Sequence, residues 1–298
     1  MRSSVRIGII AMLTLSASPS RGAEAALDSL VAGERAFAAL SVAKGMKEAF
    51  LTYLSTDAVI FQPRAVNGRT VWEARPASAA TLKWEPSFAA VSSAGDLGYT
   101  TGPWEYRPAA DSAGTPSPPE SYLHGQFNSI WRKQKGVGWR VVADIGVTHP
   151  RPTRGGIGSG EFTPGPTLKL RTMKTGHTDL PREDQALSKS MRSGGAREAL
   201  AAHAAPDLRL NTEGRYPAVG LESSQARLDS LGGFFEFRTE GWGIARSGDL
   251  GFTYGIAERF RSASTAAADT SVYLNVWRQE GGRFWRLALA VINPLTRR

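Results

Sequence analysis

A chain of 298 residues that is 41% hydrophobic and 21% charged has the make-up of an ordinary globular protein, which excludes collagen-like, coiled-coil and wholly disordered classes, and its length predicts two domains. With no cysteine, disulfide scaffolds, thiolate metal sites, iron–sulfur clusters and cysteine nucleophiles are excluded as well. The formal charge of +9 is scattered one or two lysines and arginines at a time, without the block or stripe that tracks phosphates, so nucleic acid is not an expected partner.

Residues 1–25 have the pattern of a signal peptide: Arg2 and Arg6, a mostly apolar run from Ile7 to Leu15 too short to span a bilayer, then mostly small residues to Ala25. Cleavage is expected after Ala23 or Ala25. A cut after Ala23 removes Arg2, Arg6 and Arg21 and lowers the charge from +9 to +6. The expected location is periplasmic or secreted. No later stretch reaches the apolar length of a membrane span, and no cysteine exists to carry a lipid.

Residues 26–149 form the first expected domain. Leu27, Leu30, Val31, Phe37, Leu40, Phe50, Tyr53 and Leu54 recur at helical spacing, and the break at Gly45 predicts two helices. A short strand is predicted at 58–62, a turn at Asn67-Gly68 and a third helix at 70–80, interrupted near Arg75-Pro76. Four strands follow at 88–92, 98–107, 122–133 and 139–147. Residues 150–180, rich in Gly, Pro and Thr, read as a linker; their Gly-Gly-Ile-Gly-Ser-Gly run lacks the Gly-Lys-Ser/Thr ending of a phosphate loop.

The second expected domain, residues 181–298, repeats the first. GDLGYTTG at 95–102 returns as GDLGFTYG at 248–255, and SIWRKQKGVGWRVV returns as NVWRQEGGRFWRLA, roughly 150 residues apart. Asp57 matches Asp207, and Trp131 and Trp139 match Trp277 and Trp285.

Helices first, then an antiparallel meander carrying Trp84-Glu85-Pro86, Gly95-Asp96-Leu97-Gly98, Trp131-Arg132-Lys133 and Trp139-Arg140-Val141-Val142-Ala143-Asp144-Ile145-Gly146, resembles the SnoaL-like, ketosteroid-isomerase-like superfamily that shares the nuclear transport factor 2 fold. The resemblance spans both copies. It implies an α+β fold of two cone-shaped barrels, each with helices packed on a strongly curved antiparallel sheet, and a cone mouth able to hold a small molecule. Enzymes and nonenzymes share this fold, so activity stays open. The outer sheet face serves dimerisation in such proteins, which a tandem chain could satisfy internally as a pseudo-dimer of the sheets in 88–147 and 242–292.

Candidate site residues come from comparing the copies. Gln126 and Asn128 stand where copy two has Val272 and Leu274; if that face is buried they line a wet cavity or are hydrogen-bonded, and otherwise they face solvent. His124 lies on the same face. Asp144, matched by Ala290, occupies the strand where some SnoaL-like cyclases place a catalytic carboxylate. Strict alternation, however, sets it on the face opposite Val141, Ala143 and Ile145 unless a bulge intervenes. Glu105, matched by Glu258, suits a ligand carboxylate or a strand-end salt bridge. Tyr53, Phe61, Trp72, Trp84 and Trp104 offer an aromatic lining or ordinary core packing. Asp96 and Asp249 read as turn residues. The four histidines lack metal-ligand spacing, so no metal is expected, and no motif calls for a cofactor. The leading expectation is an exported protein binding a small apolar or aromatic molecule in domain 1. The alternatives are a cofactor-free isomerase, cyclase or hydratase using Asp144 as base with Gln126, Asn128 or His124 as donors, and a noncatalytic interaction module with collapsed cavities.

Overall fold

In a computed structural model, residues 19–153, 157–158, 160–168, 179–232, 234–261, 266–281 and 284–295 are described. The apolar run, much of the linker and His177 lie outside them.

The first half opens with α1 (Pro19–Lys44) and α2 (Met46–Tyr53). They break at Gly45 because its φ of 89° is a conformation that side chains resist. Strands β1 (Leu54–Phe61) and β2 (Ala65–Asn67) lead into α3 (Gly68–Ala74). Asn67, expected in a turn, is the N-cap of α3, its side chain accepting from the Thr70 N–H. Helix α3 stops before the predicted end because Arg75 turns extended ahead of Pro76. The chain re-enters the sheet as β3 (Thr81–Trp84), a strand absent from the elements expected from sequence. There follow β4 (Phe88–Val91), β5 (Leu97–Arg107), β6 (Leu123–Gln134) and β7 (Gly138–His149), and then β8 (Thr163–Pro164), a linker segment paired with β4.

The second half repeats the order with α4 (Leu180–Gly194), α5 (Ala196–His203), β9 (Ala204–Thr212), β10 (Ala218–Val219), α6 (Leu221–Leu231), β11 (Phe234–Ile244), β12 (Leu250–Phe260), β13 (Ala267–Glu280) and β14 (Phe284–Pro294). The sheets run β2-β1-β7-β6-β5-β4-β8, with β3 also on β5, and β10-β9-β14-β13-β12-β11. Both are mainly antiparallel, as expected, with β1 joined to β7, β4 to β8 and β9 to β14 in parallel.

Each sheet has two buried faces. One packs on its own helices, with Leu30, Phe37, Phe50, Trp131 and Val141 in the first half and Leu180, Leu187, Leu200, Trp277 and Leu287 in the second. The other faces meet in a shared core containing Tyr99, Ile130, Ala143 and Ile145 from one sheet and Phe252, Leu274, Val276 and Leu289 from the other. Asp96 and Asp249 do more than close turns. The Arg246 N–H donates to Asp96 Oδ2 at 3.1 Å and the Ser93 N–H donates to Asp249 Oδ2 at 3.0 Å, a reciprocal pair in which each aspartate holds the opposite turn.

Candidate functional site

The site depends on one extra residue. Along β6 and β7 the register passes from Ile130 opposite Ala143 to Trp131 opposite Val141, leaving Val142 as a bulge. Side chains before and after the bulge therefore change faces: Trp139 and Val141 join the helix-side core, whereas Ala143, Ile145 and Val147 join the core between the sheets. Asp144 and Gly146 are turned to the helix side. The strict alternation that would have put Asp144 opposite Val141 is broken here.

Asp144 opens into a cavity of about 340 Å³ between the helices and the concave sheet. Phe37 and Phe50 line it from α1 and α2, Leu82 and Trp84 from β3, Trp104 and Tyr106 from β5, and Leu123, Phe127 and Ser129 from β6. Gly125 makes room for one wall, since a Cβ there would lie 2.4 Å from the Trp104 ring. Leu123, 53% exposed, stands at the mouth.

Ser129 Oγ donates to Asp144 Oδ2 at 2.7 Å, the one hydrogen bond this carboxylate receives among the described residues. The half-buried group faces the cavity, and its desolvation raises its pKa to about 6, the Ser129 bond opposing the rise. An apolar chamber thus contains, among the described residues, one carboxylate whose second oxygen receives no protein hydrogen bond.

Behind Trp84 lies a second carboxylate. Glu34 is wholly buried on α1 and accepts from Trp84 Nε1 at 2.6 Å, Thr100 Oγ1 at 2.5 Å and Trp131 Nε1 at 2.8 Å. Burial is the largest influence and raises its pKa to about 7; the three donors pull it down and nearby Asp144 pushes it up. The second half has the same device. Asp184 on α4 accepts from Thr239, Thr253, Tyr273, Asn275 and Trp277. Sequence reasoning missed both acids, although the spacing Leu30, Glu34, Phe37 recurs as Leu180, Asp184, Leu187. An acid held twice in an apolar helical stripe was the available signal.

Of the predicted aromatic residues, Trp84 and Trp104 line the cavity. Tyr53 and Trp72 sit behind the wall, stacked on Phe37 at 5.0 Å and on Phe50 at 4.2 Å. Phe61 instead meets Tyr254 of the second half at 5.9 Å. Glu105 points away from the cavity because Trp104 and Tyr106 alternate toward it; it accepts from Arg107 Nε at 2.6 Å, the salt-bridge alternative. His124 lies on that outer side, 3.9 Å from Glu105, with its pKa lowered chiefly by burial.

Gln126 and Asn128 are also on the outer face. Gln126 Nε2 donates to Thr101 Oγ1 at 2.9 Å, and Asn128 Oδ1 accepts from Asn211 Nδ2 of the second half at 2.6 Å. Their strand parity matches Ile130, which packs between the sheets. Both face away from the cavity, and Asn128 bonds across to the second half.

In the second half the positions equivalent to Asp144 and Gly146 carry apolar side chains. Ala290 stands opposite Asn275 as Asp144 stands opposite Ser129, and Ile292 stands opposite Tyr273 as Gly146 stands opposite Phe127. Ala290, Ile292 and Tyr273 belong to one continuous core.

No family model matches the chain, and no curated protein matches it in sequence. Solved structures do resemble parts of it. A ketosteroid isomerase-like protein from Erwinia carotovora atroseptica is 17% identical over 39% of this chain and 93% of its own, with a TM-score of 0.31. A nuclear transport factor 2-like superfamily protein from Salmonella enterica serovar Typhimurium is 17% identical over 46% of this chain and 98% of its own, with a TM-score of 0.34. A Catenulispora acidiphila structure, in complex with S-DNPA, is 14% identical over 39% of this chain and 90% of its own, with a TM-score of 0.32. The chain is thus similar to nuclear transport factor 2-like and ketosteroid isomerase-like structures, each over less than half its length.

Proposed function

We propose that the protein is exported and that its first half binds one small, largely apolar molecule in the cone, with Asp144 as the polar anchor. The carrying observation is the difference between halves: one has an aromatic chamber with, among the described lining residues, a single carboxylate, whereas at the equivalent positions the other places Ala290 and Ile292 in its core. A chamber of this size, apolar with few convergent polar groups, has the character of a ligand site. Gly146→Ile, which copies Ile292, tests it. A Cβ at Gly146 meets only ordinary contacts, the nearest at 3.4 Å, so the fold should persist while the chamber fills. Apolar dyes and metabolites retained in native mass spectrometry by the parent chain should be lost from the variant; undiminished retention would move the site elsewhere.

A second reading, proton abstraction by Asp144, draws on a pKa near neutrality. It loses its proposed partners, because Gln126, Asn128 and His124 lie outside the chamber. The interaction-module reading called for collapsed cavities in both halves and is not favoured.

A further inference from the structure

Accepting the chamber as a ligand site, we propose that the class it selects is an organic cation: an apolar or aromatic body carrying a protonated amine or quaternary ammonium group, seated against Asp144. The lining supplies the argument. Phe37, Phe50, Trp84, Trp104, Tyr106 and Phe127 surround the space, and aromatic faces carry the negative end of a quadrupole that attracts cations and offers nothing to an anion. No lysine, arginine or histidine is among the described lining residues. Asp144 is the sole charged group there, with one oxygen engaged by Ser129 and the other open to the chamber. An under-solvated carboxylate in such a place is costly alone and is relieved by an opposite charge that donates to it.

The first wall is also tuned. Trp84 donates its Nε1 proton to Glu34 at 2.6 Å, which enriches the electron density of the indole face. A neutral alcohol could satisfy the open oxygen of Asp144 but would gain nothing from the rings. A carboxylate ligand would meet repulsion from Asp144 with no compensating cation. The chain's positive formal charge opposes a cation at long range, but solvent ions screen charges beyond about 8 Å at physiological ionic strength. Inside the chamber, the carboxylate and rings dominate.

The test uses one apolar body with three charges: 2-(2-naphthyl)ethylamine, 2-(2-naphthyl)ethanol and 2-naphthylacetate. Binding to the full chain is measured by calorimetry at pH 8, above the raised pKa of Asp144. The amine should bind at least about ten-fold more tightly than the alcohol, and the acetate most weakly. In Asp144→Asn the amine-to-alcohol ratio should fall toward one. Trp104→Leu, which leaves the carboxylate in place, should also reduce that ratio, so the inference stays testable if the first variant does not fold. Equal binding of amine and alcohol to the parent chain, abolished by Gly146→Ile, would overturn the choice of cation while leaving the chamber as a ligand site. Tightest binding of the acetate would do the same. Binding of none of the three, together with empty native mass spectra, would overturn both.

Discussion

Glu34 fastens α1 to the sheet by accepting three hydrogen bonds at a fully buried position. Its proton is held more firmly in the folded chain than in the unfolded one, from an ordinary value of 4.5 up to about 7. A raised carboxylate pKa contributes stability fully below the unfolded value and loses it as pH rises through the folded value. Between pH 4.5 and 7 this group should therefore cost the fold up to on the order of 3 kcal/mol. Asp144, raised to about 6, acts in the same direction. Glu34→Gln should flatten the pH dependence of urea-unfolding free energy across this range relative to the parent; an unchanged slope would show that Glu34 does not titrate there. The sequence made Asp144 conspicuous because its repeat partner is Ala290. Glu34 was hidden because its partner is another acid, and comparison between copies is blind to what both retain.

The two-helix start and the long strands were readable because their apolar spacing is regular and Gly45 punctuates it. The bulge at Val142 was not. A half-exposed strand advertises its register by alternating apolar and polar residues, but β7 is covered on both sides, so Trp139, Val141, Ala143 and Ile145 read as one stripe although they serve two cores. The same ambiguity concealed the true face of Gln126 and Asn128. Strand β3 was lost for a different reason: Arg75-Pro76 marked the end of a helix without indicating what came next. The seating of β6 between β5 and β7 depends on Gly125, where a Cβ would lie 2.0 Å from the Val147 carbonyl oxygen of β7 and would also collide with Trp104 of β5. Gly125→Ala should destabilise the fold by about 2 kcal/mol and displace Trp104, measured as a lowered unfolding midpoint with altered tryptophan fluorescence. A neutral substitution would mean that this wall is not tightly set.

At the scale of the molecule, each sheet covers the apolar face that the other would expose to water, and Asp96 and Asp249 clasp the opposite turns. Small-angle scattering of the mature chain should report one compact particle that persists on dilution, because linkage keeps the effective concentration of the halves high. An elongated, dilution-insensitive profile would instead describe tethered beads. Export makes a separate prediction. The described α1 begins at Pro19, and Ala23 and Ala26 are buried, so processing after Ala23 or Ala25 would trim the first turns of that helix. The intact mass of the secreted protein should correspond to one of those two cuts; retention of residues 1–23 would contradict the leader reading.

The contact between halves has the form of a two-fold but not its content. Asn211 meets Asn128, which also accepts from Thr101, on one side of the pseudo-axis. On the other, the equivalent place is taken by Phe61 against Tyr254, with Leu274 in the same apolar cluster. Two first halves from separate chains, docked in the same way, would set Phe61 against Asn128 and Thr101 and strip the amide of its partner. Two second halves would set Asn211 against Leu274 and Tyr254, burying an amide with nothing to bond. Each homotypic pairing thus incurs a desolvation penalty of about 1 to 3 kcal/mol at each such site that the pairing of unlike halves avoids. The difference between the two faces therefore acts as a lock and key, favouring the pairing of a first half with a second half over the pairing of two like halves.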